Sequence, residues 1–266
     1  MTFSTTDQND RVIGTVQPLD FAIVDQDMVV RDFRSFARSE YTRLDVALLV
    51  DASGSVTPQF QREVASAAQI VAGSSGVPDE SFSVVSFRDL KPTVVCEANC
   101  RDLMNAGEQF PLINSGGLTP LYDSIVFAVR RLGRGAAAGD PHTKRILIVL
   151  SDGADTISLG SYEDALNAAV ETDVAVYSVD ISARPHYGRG TMTLRLLSAN
   201  TGGRYFTMEA GAAKVVDAIL EDFRATYTVA YKLPTHAAGF HQVRILPTHN
   251  LTLQFHCRRG YYYPSN

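Results

Sequence analysis

A chain of 266 residues with 45% hydrophobic and 20% charged side chains has an ordinary globular composition, enough for one large domain or one domain plus a small appendage. Its net charge of −5, with both signs scattered and no basic tract, excludes the electrostatic footprint of a nucleic-acid binder. No apolar run approaches the roughly 18 residues of a membrane span, and the start, Met1–Asp7, has neither the basic nor the apolar region of a signal peptide.

In chain order, residues 1–10 are polar and read as a disordered start. Over 11–42 the pattern is extended: Phe21 and Ile23, then Met28, Val29 and Val30, flank Asp25-Gln26-Asp27, which reads as a hairpin turn. Over 43–226 strands and helices alternate. Val46–Val50 reads as a strand buried on both faces that stops at Asp51. Thr57 and Pro58 open a helix whose apolar residues Phe60, Val64, Ala67, Ala68 and Val71 recur at helical spacing. Ser81–Phe87 and Thr93–Cys96 are strands too close for a helical crossover, so they pair antiparallel at a sheet edge. A short helix around Arg101–Ala106 follows.

Gly116-Gly117-Leu118-Thr119-Pro120 then introduces a helix with Leu121, Ile125, Val126, Val129 and Leu132 on one face. Ile146–Leu150 is a second buried strand, ending in Ser151-Asp152-Gly153. Helix Tyr162–Glu171, strand Val174–Val179, helix Thr191–Asn200, strand Tyr205–Thr207 and helix Ala212–Thr226 continue the alternation. Over 227–266 the period changes: Tyr227–Leu233, His241–Leu246 and Leu251–Cys257 read as alternating strands with no helix between them. The expected fold is α/β: a doubly wound, mostly parallel sheet flanked by helices, with one small antiparallel β appendage built from both termini.

Cys96, Cys100 and Cys257 fit one disulfide plus a spare or a set of reduced thiols. Three unrelated thiols is the favoured reading. The histidines lack a His-Glu-x-x-His spacing and read as surface or strand-face residues. Phosphate-loop, dinucleotide and Gly-x-Ser-x-Gly signatures are absent.

The informative residues stand at junctions. Asp51, Ser53 and Ser55 follow the first buried strand, Thr119 sits between a diglycine and a helix-starting proline, and Asp152 follows the second buried strand. Open α/β sheets bind ligands at the carboxyl ends of their strands, where these loops can converge. Carboxylates and hydroxyls are hard oxygen donors, which favour Mg²⁺ over zinc. Asp155 reads as a buttress of the Asp152 loop or a cap, and Asp123 as a hydrogen-bond acceptor near the site or a solvated helix residue.

Asp51-Ala52-Ser53-Gly54-Ser55, Thr119 and Ser151-Asp152-Gly153, in that order, resemble the metal-ion-dependent adhesion site of von Willebrand factor type A domains. Asp20–Val24, Gly116–Ile125 and Arg259–Pro264 further resemble the bacterial, Acidobacteria-type subfamily of von Willebrand A-related proteins, which carries β extensions on both sides of the domain. The resemblance implies that Ser53, Ser55 and Thr119 ligate the metal through their hydroxyls. It implies that Asp51 and Asp152 bind it directly or through water, and that a partner's Asp or Glu carboxylate completes the coordination. The implied ion is Mg²⁺, with Mn²⁺ or Ca²⁺ as substitutes. The expected function is a metal-dependent protein-binding module for adhesion or assembly, not an enzyme. The alternatives are a structural subunit whose metal only stiffens loops and, last, a Mg²⁺-dependent phosphohydrolase. The subfamily points to the cell envelope, and the missing signal peptide to the cytoplasm.

Overall fold

The computed structural model describes residues 1–39, 43–53, 66–67, 70–71, 81–89, 91–97, 100, 117–134, 140, 142–182 and 187–264. Four strands come first: β1 (Thr2–Thr6), β2 (Phe21–Asp25), β3 (Met28–Val29) and β4 (Phe33–Arg38). The middle of the chain supplies β5 (Arg43–Asp51), β6 (Phe82–Arg88), β7 (Lys91–Glu97), α1 (Leu121–Gly133), β8 (Thr143–Ser151) and α2 (Tyr162–Glu171). It continues through β9 (Val174–Asp180), α3 (Arg189–Thr201), β10 (Tyr205–Thr207) and α4 (Ala212–Arg224). The last strands are β11 (Tyr227–Tyr231), β12 (Gly239–Pro247), β13 (Gln254–Cys257) and β14 (Gly260–Tyr263).

A six-stranded sheet in the order β10-β9-β8-β5-β6-β7 forms the centre. Its strands pair in parallel except β7, which runs antiparallel to β6, as their short connection requires. Both faces are covered, which explains why β5 and β8 are apolar runs without polar alternation. Leu44, Val46, Leu48 and Val50 face α4 with Val215, Val216 and Ile219, whereas Ala47 and Leu49 face α1 and α2 with Ile125, Val129, Leu166 and Ala169. Ala67 and Val71 lie in helical backbone and join the first of these cores. The rest of the helix expected after Pro58, the one expected around Arg101–Ala106, and Ser55 lie outside the described residues.

The expectation of a doubly wound, mostly parallel fold with one small antiparallel appendage needs correction. The described strands form three sheets, and two of these, β13-β1-β11-β4 and β14-β12-β2-β3, are four-stranded and antiparallel in their pairings. They share a core of their own, where Phe3 and Phe21 rings meet at 5.2 Å beside Tyr227, Val229, Val243 and Ile245. The architecture is therefore an α/β body joined to a two-sheet β unit, and much of the chain's β content is antiparallel.

Residues 2–6, expected to be disordered, form β1 in the interior of one sheet, between β11 and β13. Ser4, Thr5 and Thr6 are all buried there. Threonine's branched Cβ favours extended backbone, and the strand's partners come from residues 227–257, too far along the chain for a local reading. Cys96 and Cys100 form a disulfide, correcting the reading of unrelated thiols. Both sulfur-bearing residues are buried where β7 ends, with Cα atoms 5.2 Å apart, a spacing suited to a bridge. No described helix is long and apolar enough to cross a membrane.

Candidate metal site

β5 and β8 lie side by side with Val50 opposite Leu150, so their last residues, Asp51 and Ser151, emerge together at the carboxyl edge of the sheet. Both are fully buried. Ser151 Oγ donates to Asp51 Oδ2 at 2.8 Å, and the Ser53 amide donates to Asp51 Oδ1 at 2.9 Å. Ser151 Oγ also accepts the Gly153 amide at 3.0 Å, which turns the chain just beyond β8. Asp152 is partly buried and accepts the Ala154 amide at 2.9 Å.

Thr119 reaches the same edge through the loop after Asp152. Its amide donates to Thr156 Oγ1 at 2.7 Å, and its carbonyl accepts the Thr156 amide at 2.9 Å. One turn on, Asp155 Oδ1 accepts the Tyr122 amide at 3.3 Å, satisfying a free donor at the start of α1. Asp123 returns the contact by accepting the Leu159 and Gly160 amides at 2.8 and 2.9 Å. Both acids therefore brace the loop; neither is simply solvated. On the other side the N-terminal end of α3 leans against Asp152: a Cβ on Gly190 would sit 2.2 Å from the Asp152 carbonyl oxygen, so only glycine fits.

Burial is the main cause that raises the Asp51 pKa; hydrogen bonds from Ser53 and Ser151 pull it down, and the nearby Asp152 charge adds to the rise. Among the described ion pairs, neither Asp51 nor Asp152 has a basic partner. Two neighbouring carboxylates, one of them fully buried, thus lie close enough to interact with no ion-pair partner among the described residues. Hydroxyls and carboxylates suit a hard divalent ion such as Mg²⁺. Among the described residues there is no group of three or more His, Cys, Asp or Glu side chains that could hold a metal ion, so an ion here would depend on hydroxyls as well as carboxylates.

Residues 45–221, more than half of the chain, match the profile of the von Willebrand factor type A domain. The chain belongs to that family. The VWA chain is also similar to the magnesium-chelatase 67 kDa subunit of Chlorobaculum tepidum, 25% identical over an alignment of 190 residues, with 65% of this chain and 30% of that protein covered. In structure it is similar to proximal thread matrix protein 1 of the mussel byssus, with a TM-score of 0.53 and 18% identity over 70% of this chain and 48% of the other. That likeness concerns the fold alone. The VWA chain spans less than half the length of either protein.

The structure brings Asp51, Ser53, Thr119 and Asp152 of the VWA domain to one edge; Ser55 lies outside the described residues. Sequence reasoning missed the supporting residues. Ser151 orients Asp51, Thr156 fastens the Thr119 loop, and Gly190 admits α3 to the Asp152 turn. Asp180, at the end of the neighbouring β9, is buried and accepts hydroxyls from Thr191 and Tyr205, each at 2.8 Å. Its position after a buried strand, like that of Asp51, was the available signal.

Proposed function

We propose that this VWA domain is a metal-dependent protein-binding module, of the adhesion or assembly kind, and not an enzyme. Asp51, Ser53, Ser55, Thr119 and Asp152 would hold Mg²⁺, or Mn²⁺ or Ca²⁺ in its place. When bound, the ion supplies an electrophilic position for an Asp or Glu carboxylate of a partner protein. One observation carries the reading: the buried Asp51 carboxylate and its neighbour Asp152 have no basic partner among the described residues, so a cation relieves a charge cost that the fold otherwise bears. The residues of the chain do the positioning. Ser151 and the Ser53 amide fix both carboxylate oxygens of Asp51, and Thr156 holds the Thr119 segment to the Asp152 loop. The similarity to a protein named as a magnesium-chelatase subunit supports magnesium as the ion.

The test is retention of partners from native extract by the immobilised domain. Partners should be held in Mg²⁺, released by EDTA, and absent with Asp51→Ala and with Thr119→Ala. A partner held equally under all of these conditions refutes the reading. If EDTA lowers thermal stability and leaves every interaction unchanged, the metal only stiffens the loops.

A further inference from the structure

The two antiparallel sheets meet in a cluster of four polar side chains that the β5–β8 edge does not use. Asp25 ends β2, His241 lies on β12, and Tyr261 stands directly opposite His241 on β14, all three in one sheet. Tyr231 closes the cluster from the end of β11, in the other sheet. Asp25 and His241 are fully buried, whereas the two tyrosines are partly exposed, which leaves a way in from the surface. Asp25 Oδ2 accepts both phenols, from Tyr231 and from Tyr261, each at 2.9 Å. Tyr261 Oη also lies 3.1 Å from His241 Nδ1, and His241 Nε2 lies 2.7 Å from the Ala237 carbonyl oxygen.

With the His241 ring neutral, this cluster is one proton short. A carbonyl oxygen only accepts, so His241 Nε2 carries a hydrogen and Nδ1 is left with a lone pair. Tyr261 has one hydroxyl proton, which serves Asp25 Oδ2 or His241 Nδ1 but not both. Asp25 Oδ1 is buried without a hydrogen bond, 3.8 Å from the same nitrogen. Bare lone pairs so close together and away from water are costly unless something positive lies between them. The surroundings suit a metal ion. Bonds of about 2.0–2.1 Å set adjacent ligands of one ion roughly 2.8–3.4 Å apart, and the three close donor pairs here are at 2.9, 2.9 and 3.1 Å. A histidine that ligates through one nitrogen ordinarily donates its other N–H to a carbonyl or carboxylate, as His241 does to Ala237. Burial, and after it the Asp25 carboxylate, raise the pKa of both phenols and keep them protonated; a bound cation inverts that balance. Two phenolates and a carboxylate are hard oxygen donors whose three negative charges a trivalent ion neutralises.

We propose that Asp25, Tyr231, Tyr261 and His241 form a ferric iron site that clips the two antiparallel sheets together. As the bonds from Fe³⁺ to the two phenolate oxygens form, the two phenolic protons leave to solvent; the iron stays ferric, and nothing is oxidised or reduced. The site shares no residue with the Asp51 edge, so it stands or falls independently of the Mg²⁺ reading.

The full chain, in excess Mg²⁺ so that the Asp51 edge is saturated, is titrated with Fe³⁺ supplied as its nitrilotriacetate complex. One equivalent should produce a visible phenolate-to-iron charge-transfer band, resonance-enhanced tyrosine ring vibrations in the Raman spectrum, and a raised Tm. A change in an outer-shell partner alone costs about 10–100-fold in metal affinity, so Tyr231→Phe and Tyr261→Phe should each cost at least about tenfold. Far-UV circular dichroism checks that both variants fold, and the Raman signature of the wild type tests tyrosine ligation without any variant. An absence of the band at one equivalent overturns the proposal and leaves a proton as the group that fills the gap. A band that persists undiminished in both folded variants overturns it too. So does tighter retention of Zn²⁺ than of Fe³⁺, which would mean that the phenols do not ligate as a pair of anions.

Discussion

Replacing Asp51 with Asn separates what the carboxylate does for the fold from what it does for a cation. Asparagine has the same shape, and its carbonyl can keep the Ser53 amide bond now made by Oδ1. Its NH₂ group then occupies the Oδ2 position and donates to Ser151 Oγ, which already accepts from Gly153 and has a second lone pair to offer. The substitution therefore removes a buried charge beside Asp152, at the cost of the acceptor that Oδ2 offers the Ser151 hydroxyl proton. Without metal, Asp51→Asn should be at least as stable as the wild type, because burial and Asp152 both disfavour the charged form. With free Mg²⁺ at about 100 times its dissociation constant, the wild type should gain about 2.7 kcal/mol. For a protein of this size that is roughly 5–11 °C in Tm. The variant should gain almost none of it. Differential scanning calorimetry in EDTA and in a Mg²⁺ series reads both effects. A variant that is markedly less stable in EDTA, or that keeps the full Mg²⁺ shift, refutes the argument that Asp51 is a strained carboxylate awaiting a cation.

Other consequences can be measured in the same way. Gly190→Ala places a Cβ 2.2 Å from the Asp152 carbonyl, so the start of α3 or the Asp152 turn must move by roughly 1 Å, costing about 1–3 kcal/mol. Helix propensity alone would favour alanine by about 1 kcal/mol, so the sign of the change in a urea titration decides between the two. Phe3→Ala should cost about 3–5 kcal/mol because the ring is buried against Phe21, Tyr227 and Phe255; no loss of stability would mean that β1 is not packed. Burial pushes His256 down to about 4, so above pH 6.5 both folded and unfolded chains hold it neutral and stability is indifferent to it. Below 6.5 the unfolded chain takes up a proton that the folded one refuses, and about 2 kcal/mol should be lost by pH 5. His256→Gln should flatten that part of the pH profile, and an unchanged slope would exonerate the histidine.

The parts of this molecule that were legible in its sequence are those in which a local pattern is also the physical cause. β5 and β8 are continuous apolar runs because helices cover both faces of their sheet, and an acid at the end of such a run has to be at the sheet edge. Asp51, Thr119 and Asp152 could therefore be picked out before their surroundings were known. Residues whose role depends on distant partners were not legible. Ser151 resembles any turn serine until Asp51 lies across from it. Asp155 was legible as a buttress or cap and Asp123 as a hydrogen-bond acceptor or a solvated residue, but the amides they hold follow only from α1 and the loop after β8 facing each other. The Cys96–Cys100 bridge depends on how the chain leaves β7, and the four-residue spacing alone does not fix that. The expectation joined the two ends of the chain in one small antiparallel sheet; the division into two sheets and the place of β1 between β11 and β13 were not legible.

That pairing bears on the order in which the molecule can be completed during its synthesis. β1 precedes every other described strand in the order of synthesis, and its neighbours β11 and β13 follow more than 220 residues later. At roughly 5–20 residues per second, the interval before residue 227 appears is about 10–45 s. Throughout it Phe3 and Phe21 have none of their later partners from β11, β12 and β13. The α/β body can form in that time from neighbouring segments, but the β unit must wait and then close between the two ends of the chain. The N-terminal strands are therefore the segment of the nascent chain with the longest period of apolar exposure, and the one on which a chaperone would have most time to act.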